Sequence, residues 1–451
     1  MQIILVGSGK VGVALARQLS EEGHSVTVID TNENKIQTIT EELDVMGYVG
    51  NGSSISVLSD AGLEKADVLI AVTGSDEMNL LCCLFAKKSG RCHTIARVRN
   101  PAYSRELDYI KEQLGISAII NSELAAAREI TRLLQFPAAS KIDTFADGRV
   151  QLIKFVLQDD TLDGVALKEV PGRFGDVLIC AVERDRDVVI PGGNFMLKTG
   201  DVVTFLATPE KAKAFFETLG LPTKPVHSAM IVGGGAIGHY LAQNLVEDKI
   251  PVRIIEKDAA RCEFLADQLP QATILHGDGG DRRLLQSEGI GEAGAFVALT
   301  NQDEENVLLG LYSKKHNKNG KVITKLNRLD FDDVLDNMDL GSLIYPKYMT
   351  CDYIVQYVRA LQNSAGSKVK TLYRILDDRV EALEFKVEER SDITDIPLYK
   401  LKLKPNLLIC CITRGEQIII PRGADSIRVG DSVVVVTLER GLKDVRGIAA
   451  H

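Results

Sequence analysis

The chain has 451 residues, of which 45% are apolar and 25% charged, and a formal net charge of −9. That length points to about three to four domains, and the composition is that of a soluble globular protein. The acidic balance argues against nucleic acid or an anionic lipid surface as a partner, and no apolar run approaches the ~20 residues needed to cross a bilayer. The N-terminus enters a strand directly, without a basic leader, so a cytoplasmic protein is expected.

The first elements are the most informative. An apolar strand, Ile3 to Val6, runs into Gly7-Ser8-Gly9-Lys10-Val11-Gly12, an amphipathic helix, and a second strand, Val26 to Asp30. In such a G-x-G-x-x-G turn the first glycine permits the tight bend. The second lets backbone approach a pyrophosphate, and the third lets helix pack on strand. The helix start then offers unpaired N–H groups and a positive dipole end to phosphates. Asp30 would accept hydrogen bonds from a ribose and repel a 2′-phosphate, which favours NAD or an adenine nucleotide over NADP. A βαβ unit that has kept its turn and lost its ligand is the plainer alternative.

A third strand closes at Val49-Gly50-Asn51-Gly52-Ser53, and a fourth, Val68 to Thr73, leads through Gly74 into the next helix. Thr73 sits where carboxyl ends of parallel strands face a nucleotide. Asp76 lies in the first helical turn and Lys87-Lys88 in the last, with Gly90 as a stop signal, which ordinary capping also explains. In the fifth strand, Thr94 to Arg99, the cation Arg97 needs a partner: a bound phosphate, or else an edge position or a local salt bridge. A sixth strand, Ala118 to Asn121, closes the unit. The helix from Ser122 to Phe136 follows, stopped by Pro137. Its Leu124, Ile130, Leu133 and Leu134 recur at helical steps and could pack on their own domain or on a second copy.

Next comes a Val- and Ile-rich segment. Strands Gln151–Leu157 and Asp176–Arg184, the turn pattern Ile190-Pro191-Gly192…Gly200-Asp201, and a closing helix from Thr208 describe a small α+β module. The prolines of Leu221-Pro222-Thr223-Lys224-Pro225 mark a linker.

Then the chain repeats itself. Gly233-Gly234-Gly235-Ala236-Ile237-Gly238 is followed by Glu256, 23 residues after its first glycine (256 − 233), the spacing from Gly7 to Asp30 (30 − 7). Asp278 answers Asn51 in a Gly-Asp-Gly stretch, and Thr300 and Asp303 answer Thr73 and Asp76 at an offset of 227 (300 − 73, 303 − 76). Lys325 stands 228 after Arg97, Lys314-Lys315 and Gly320 close the helix before it, and a further helix is expected over Thr350–Leu361. The second small module repeats at an offset of 230, with Pro421 for Pro191 and Gly430-Asp431 for Gly200-Asp201, and a short closing helix is expected over Leu438–Val445. The fold class is therefore α/β: two doubly wound, Rossmann-like parallel-sheet domains, each followed by a small α+β domain. The expected boundaries are 1–121, 138–221, 227–346 and 366–451.

The eight cysteines include two adjacent pairs but no C-x-x-C, and their apolar settings read as reduced core thiols. The histidines are scattered, so neither a metal site nor a catalytic set is expected.

Paired G-x-G-x-x-G units, each with its acid, G-[DN]-G, V-T-x-x-D-E-x-N and an I-P…G-D module, resemble RCK domains, regulators of potassium conductance. Two such pairs in one chain resemble the TrkA family, peripheral subunits of bacterial Trk potassium-uptake systems. The resemblance implies NAD(H), with ATP or ADP as the alternative, held in the first unit. Gly7, Ser8, Gly9, Lys10 and Val11 would meet phosphates, Asp30 the ribose, Asn51 and Gly52 the adenine side, Thr73 and Gly74 the cleft wall, and Arg97 a phosphate. It carries over to the second unit as Gly233, Gly235, Ala236, Ile237, Glu256, Asp278, Thr300 and Lys325. That unit reads Thr324-Lys325-Leu326-Asn327-Arg328-Leu329 where the first reads Ala96-Arg97-Val98-Arg99-Asn100-Pro101. The resemblance further implies a ring-like homo-oligomer, dimer or tetramer, seated on the inner face of the membrane through an integral potassium-translocating subunit, without inserting itself. A regulator of a different cation transporter is a near variant. An NAD-dependent oxidoreductase is the alternative class, and it would need a substrate domain with an acid or base, for which the small modules offer no candidate.

Overall fold

The computed structural model describes residues 1–450 except 90–91, 104–105, 147, 159, 186, 328–334, 336–337, 364–368, 377–378 and 443. Gly90, Arg328, Leu329 and the expected boundary at 366 lie outside the described residues. In chain order the first strands are β1 (Gln2–Val6), β2 (Ser25–Asp30), β3 (Met46–Val49), β4 (Val68–Ala71), β5 (His93–Arg97) and β6 (Ala118–Ile120). A second set is β7 (Lys141–Phe145), β8 (Val150–Val156), β9 (Leu178–Arg184), β10 (Asp187–Val189) and β11 (Val202–Ala207). The pattern then recurs with β12 (Ala229–Val232), β13 (Val252–Glu256), β14 (Thr273–His276), β15 (Ala295–Ala298), β16 (Lys321–Lys325) and β17 (Ser342–Ile344). The last set is β18 (Val369–Ile375), β19 (Val380–Lys386), β20 (Leu407–Arg414), β21 (Gln417–Ile419) and β22 (Ser432–Thr437). These strands fall into two compact units, Met1–Thr131 with Val226–Val358, and Arg132–Pro225 with Arg359–His451.

The first unit holds two parallel sheets of one topology, β3-β2-β1-β4-β5-β6 and β14-β13-β12-β15-β16-β17. Their central strands are continuous apolar runs, Ile3 to Val6 and Ala229 to Val232, all at most 2% exposed, because helices cover both faces. The strand order reverses between β1 and β4, and between β12 and β15, which opens a crevice at the carboxyl ends. Both β5 and β16 are interior strands, so an edge position does not explain Arg97 or Lys325.

The helices after the sixth strands differ from expectation. They do not pack solely on their own sheet but reach across onto the other half of the same chain. Beside the helix Ser122–Gln135, Asn121 Nδ2 donates to Tyr240 Oη at 2.9 Å, and Asn244 Nδ2 donates to Thr131 Oγ1 at 3.1 Å. Its counterpart Pro346–Asn363 starts earlier than expected, at Pro346, and sets Cys351 Sγ 3.9 Å from the Val11 carbonyl. Each half thus lends a helix to the region of the other's glycine turn.

The second unit contains two antiparallel sheets, β10-β9-β11-β8-β7 and β18-β19-β22-β20-β21. One apolar cluster takes Phe145, Leu152 and Cys180 from the first and Val380, Cys410 and Val434 from the second. All eight cysteines are free and buried. The Gly-Asp motifs prove to be a brace. Gly200 and Gly430 adopt φ of 92° and 93°, a left-handed turn that glycine takes without strain. The following Asp201 accepts Nε and Nη2 of Arg184, both at 2.7 Å, and Asp431 accepts the same atoms of Arg414 at 2.9 and 2.8 Å. Both aspartates are 1% exposed. One expectation fails here. The first module closes with the helix Pro209–Thr218, but among the described residues the second shows a 3₁₀ turn, Val445–Ile448, where a short helix over Leu438–Val445 was expected. Gly441, at φ 78°, donates its N–H to Glu381 Oε2 at 3.1 Å and breaks the path.

Asp201 is buried while Arg184 is 29% exposed, so removing the carboxylate leaves a guanidinium that water partly reaches. Asp201→Ala is expected to cost about 1–2 kcal/mol, read as a lower urea midpoint. An unchanged midpoint would refute the brace.

Candidate functional site

The crevice of the first sheet is a cleft of about 620 Å³, within the range of cofactor-sized sites. Its floor is the first glycine turn. Gly7 has φ 105°, and a Cβ there would lie 3.0 Å from the Thr73 backbone nitrogen; a Cβ on Gly12 would lie 1.9 Å from the Gly7 carbonyl oxygen. These two positions are glycine because strand, turn and helix touch. At Gly9 a Cβ would meet nothing within 4 Å, so the helix start is bare there.

Asp30 does more than the sequence implied. Its Oδ2 accepts the Ser8 N–H at 2.8 Å and the Ser8 hydroxyl at 2.7 Å, and its Oδ1 accepts the Asn32 N–H at 3.0 Å. Burial alone would raise the carboxyl; the backbone N–H groups of Ser8 and Asn32, the Ser8 hydroxyl and the Lys35 charge outweigh it and hold Asp30 below its ordinary range. The acid therefore fixes the turn while staying ionised beside the cleft.

Ten of the eleven first-half candidates line this one cleft: Gly7, Gly9, Lys10, Val11, Asp30, Asn51, Gly52, Thr73, Gly74 and Arg97. Ser8 lies behind it, 4% exposed, on Asp30. Arg97 Nη2 donates to the Thr73 carbonyl at 2.7 Å. Burial, then the neighbouring Arg99, lowers its pKa. Asp76 is a brace, its Oδ2 accepting the N–H groups of Arg99 and Asn100 at 2.8 Å.

Sequence reasoning missed Asn79, fully buried, whose Oδ1 accepts both the N–H and hydroxyl of Thr73 at 2.7 Å while its Nδ2 donates to the Arg97 carbonyl at 2.8 Å. Asn306 repeats this with Thr300 and Lys325. The signal was the shared offset of 227 (306 − 79). Also missed were Lys35, Ser122 and Glu123, and four residues from the second half of the chain, Asn327, Pro346, Lys347 and Thr350, which complete the cleft wall.

The second glycine turn has the same frame and different occupants. Glu256 accepts the Gly234 N–H at 2.7 Å and the Asp258 N–H at 2.9 Å, matching Asp30. Arg261, however, donates from Nε to the Gly234 carbonyl at 2.7 Å and from Nη2 to the Gly235 carbonyl at 3.4 Å, stacked over Phe264. The turn leads into the helix Ala236–Glu247, in which Ile237 is buried. Asp278 pairs with Lys257 at 2.7 Å. Lys325, 5% exposed, gives Nζ to the Leu299 carbonyl at 3.1 Å, and burial pushes its pKa down to about 8 against the pull of Asp303 and Glu123.

The TrkA-N domain model matches residues 3–122 and 229–346, and the TrkA-C domain model matches 152–220. The chain belongs to the TrkA family. It is 32% identical to the Trk system potassium uptake protein TrkA homolog 1 of Methanosarcina mazei, over 99% of both chains, and 30% identical to the Trk system potassium uptake protein TrkA of Haemophilus influenzae, over 96% of this chain and 95% of that one. Among solved structures, the GsuK channel bound to NAD is similar in fold, with a TM-score of 0.63 at 16% identity, covering 97% of this chain and 76% of that chain. This TrkA-family chain contains no helix, among the described residues, long and apolar enough to cross a membrane.

A lysine whose pKa is depressed on folding destabilises the charged folded state. The unfolded chain keeps its proton up to about 10.4, so stability should rise as pH climbs from about 8 toward that value. Lys325→Met is expected to flatten this rise and to add ~1–3 kcal/mol at pH 7, read by calorimetric melting from pH 7 to 10. A parallel pH profile for both proteins would show that Lys325 is not desolvated.

Proposed function

We propose that this chain is a nucleotide-sensing regulatory subunit that gates a membrane potassium-uptake transporter, and that it makes or breaks no bond. The observation that carries this reading is the cleft over the first glycine turn. It has a bare helix start at Gly9, an ionised Asp30 at the ribose position, and Lys10, Lys35, Arg97 and Lys347 set against Asp30 and Glu123. Four cations against two carboxylates favour an anionic ligand. NAD(H) fits this chemistry, as do ATP and ADP. The relatives' shared name points to potassium uptake, and nothing comparable supports an oxidoreductase.

In this reading the segments 1–121, 138–221, 227–346 and 366–451 are the four functional domains. The chain assembles as a homo-oligomeric ring on the cytoplasmic side of an integral potassium-translocating subunit, through protein contacts. Ligand in the cleft shifts the ring only by its differential affinity for two arrangements, commonly about 1–3 kcal/mol. The second glycine turn, with Arg261 across its carbonyls, is the weaker nucleotide site of the two.

Gly9→Asp adds a side chain into open space and a negative charge to the anion cradle, so the fold should survive while nucleotide affinity falls by at least tenfold, about 1.4 kcal/mol. Asp30→Ala should weaken binding and also loosen the turn it pins. Calorimetric titration with NADH and ATP reads both; wild-type affinity in the two variants would remove the site assignment.

A further inference from the structure

The cleft of the first half is not built by the first half alone. Asn327, Pro346, Lys347 and Thr350 come from the second repeat and line the same cavity as Lys10 and Arg97. Within that contributed wall, among the described residues, Lys347 carries the charge. Thr350 is 1% exposed and its hydroxyl donates to the Pro346 carbonyl at 3.1 Å, so its polar group serves its own helix. Lys347 stands in the first turn of Pro346–Asn363, its Nζ is 4.6 Å from the Tyr348 ring centroid, and Cys351, one turn on, lies 3.9 Å from the Val11 carbonyl. Lys347 therefore flanks the first turn of the helix whose N-terminus would hold a pyrophosphate. On the same side, the Glu123 charge acts on both Arg97 and Lys325, and Lys10 and Lys347 are further cations lining the cavity.

We infer that Lys347 is a specificity-determining residue of this site: through it the second half of the chain reads how much negative charge the bound nucleotide carries beyond its α-phosphate. The inference rests on the nucleotide reading of the cleft and gives it a direction. A mononucleotide would satisfy Asp30 and the glycine turn without reaching the second half. A di- or triphosphate, or the pyrophosphate of a dinucleotide, would draw Lys347 and its helix onto the ligand. Ligand charge thus becomes a contact between the two repeats, and by linkage a second half held in that position would bind polyphosphates more tightly.

The test is calorimetric titration of the full chain with AMP, ADP, ATP and NAD at fixed ionic strength, comparing wild type with Lys347→Gln, Lys347→Arg and Gly9→Asp. Lys347→Gln should weaken ATP roughly 10- to 50-fold, ADP and NAD roughly 5- to 10-fold, and AMP less than about twofold, while Lys347→Arg stays within about threefold of wild type. The salt dependence of ATP binding should become shallower in Lys347→Gln, which a purely structural role would not produce. Equal losses for all four ligands, or no loss for any, would overturn the inference. If Gly9→Asp abolishes binding while Lys347→Gln retains wild-type affinities, only this inference falls. If wild type binds none of the four, the nucleotide reading falls with it.

Discussion

The rest of this structure depends on a carboxylate that grips a glycine turn. Asp30 and Glu256 each accept the N–H of the middle residue of their turn, Ser8 or Gly234, and a second N–H two residues further along their own chain, Asn32 or Asp258. This bond ties the end of the second strand to the loop leaving the first. It holds the first N–H groups of the next helix pointing outward, and those groups have no partner in the helix itself. A cavity at the carboxyl ends of the sheet follows, with a positive helix end at its floor and an acid at its rim. Asn79 and Asn306 perform the matching task on the other side of the crevice, locking Thr73 and Thr300 to the following strand.

Duplication kept this frame and changed its lining. Lys35 and Arg261 occupy equivalent places, 226 residues apart (261 − 35). Lys35 faces a cavity, whereas the guanidinium of Arg261 lies on the carbonyls of its own glycine turn with Phe264 beneath it. The longer, planar fork reaches backbone that an ammonium does not. The two turns are thus alike in topology and unlike in electrostatics. Fold is inherited through the glycines and apolar strands, and ligand preference through a few charged positions around them. The reciprocal helices Ser122–Gln135 and Pro346–Asn363 then join the halves, so that the first crevice is not bounded by its own repeat alone.

The small modules show the same economy. An Arg–Asp pair with a buried carboxylate, preceded by a left-handed glycine, recurs in both and fastens the turn before the final strand to β9 or β20. Where the copies differ, the cause is local. Pro209 and the Thr208 cap start a helix in the first, while Gly441 and its bond to Glu381 turn the chain away in the second.

The residues that repeat in register were legible without coordinates: the glycines of both turns, Asp30 and Glu256, the doubly wound parallel-sheet class, the Gly-Asp motifs, and, of the eleven first-half candidates, the ten that line the first cleft. They could be read because short-range rules fix them; a tight turn, a buried strand or a helix start demands particular side chains at fixed spacing. Tertiary structure decided the rest. That Arg97 and Lys325 sit in interior strands, that Arg261 covers the second turn, and that Lys347 and Asn327 wall the first cleft all depend on contacts between residues far apart in the chain. Such contacts leave no periodicity behind, since a cation at a helix start reads the same whether it faces water or a neighbour's crevice.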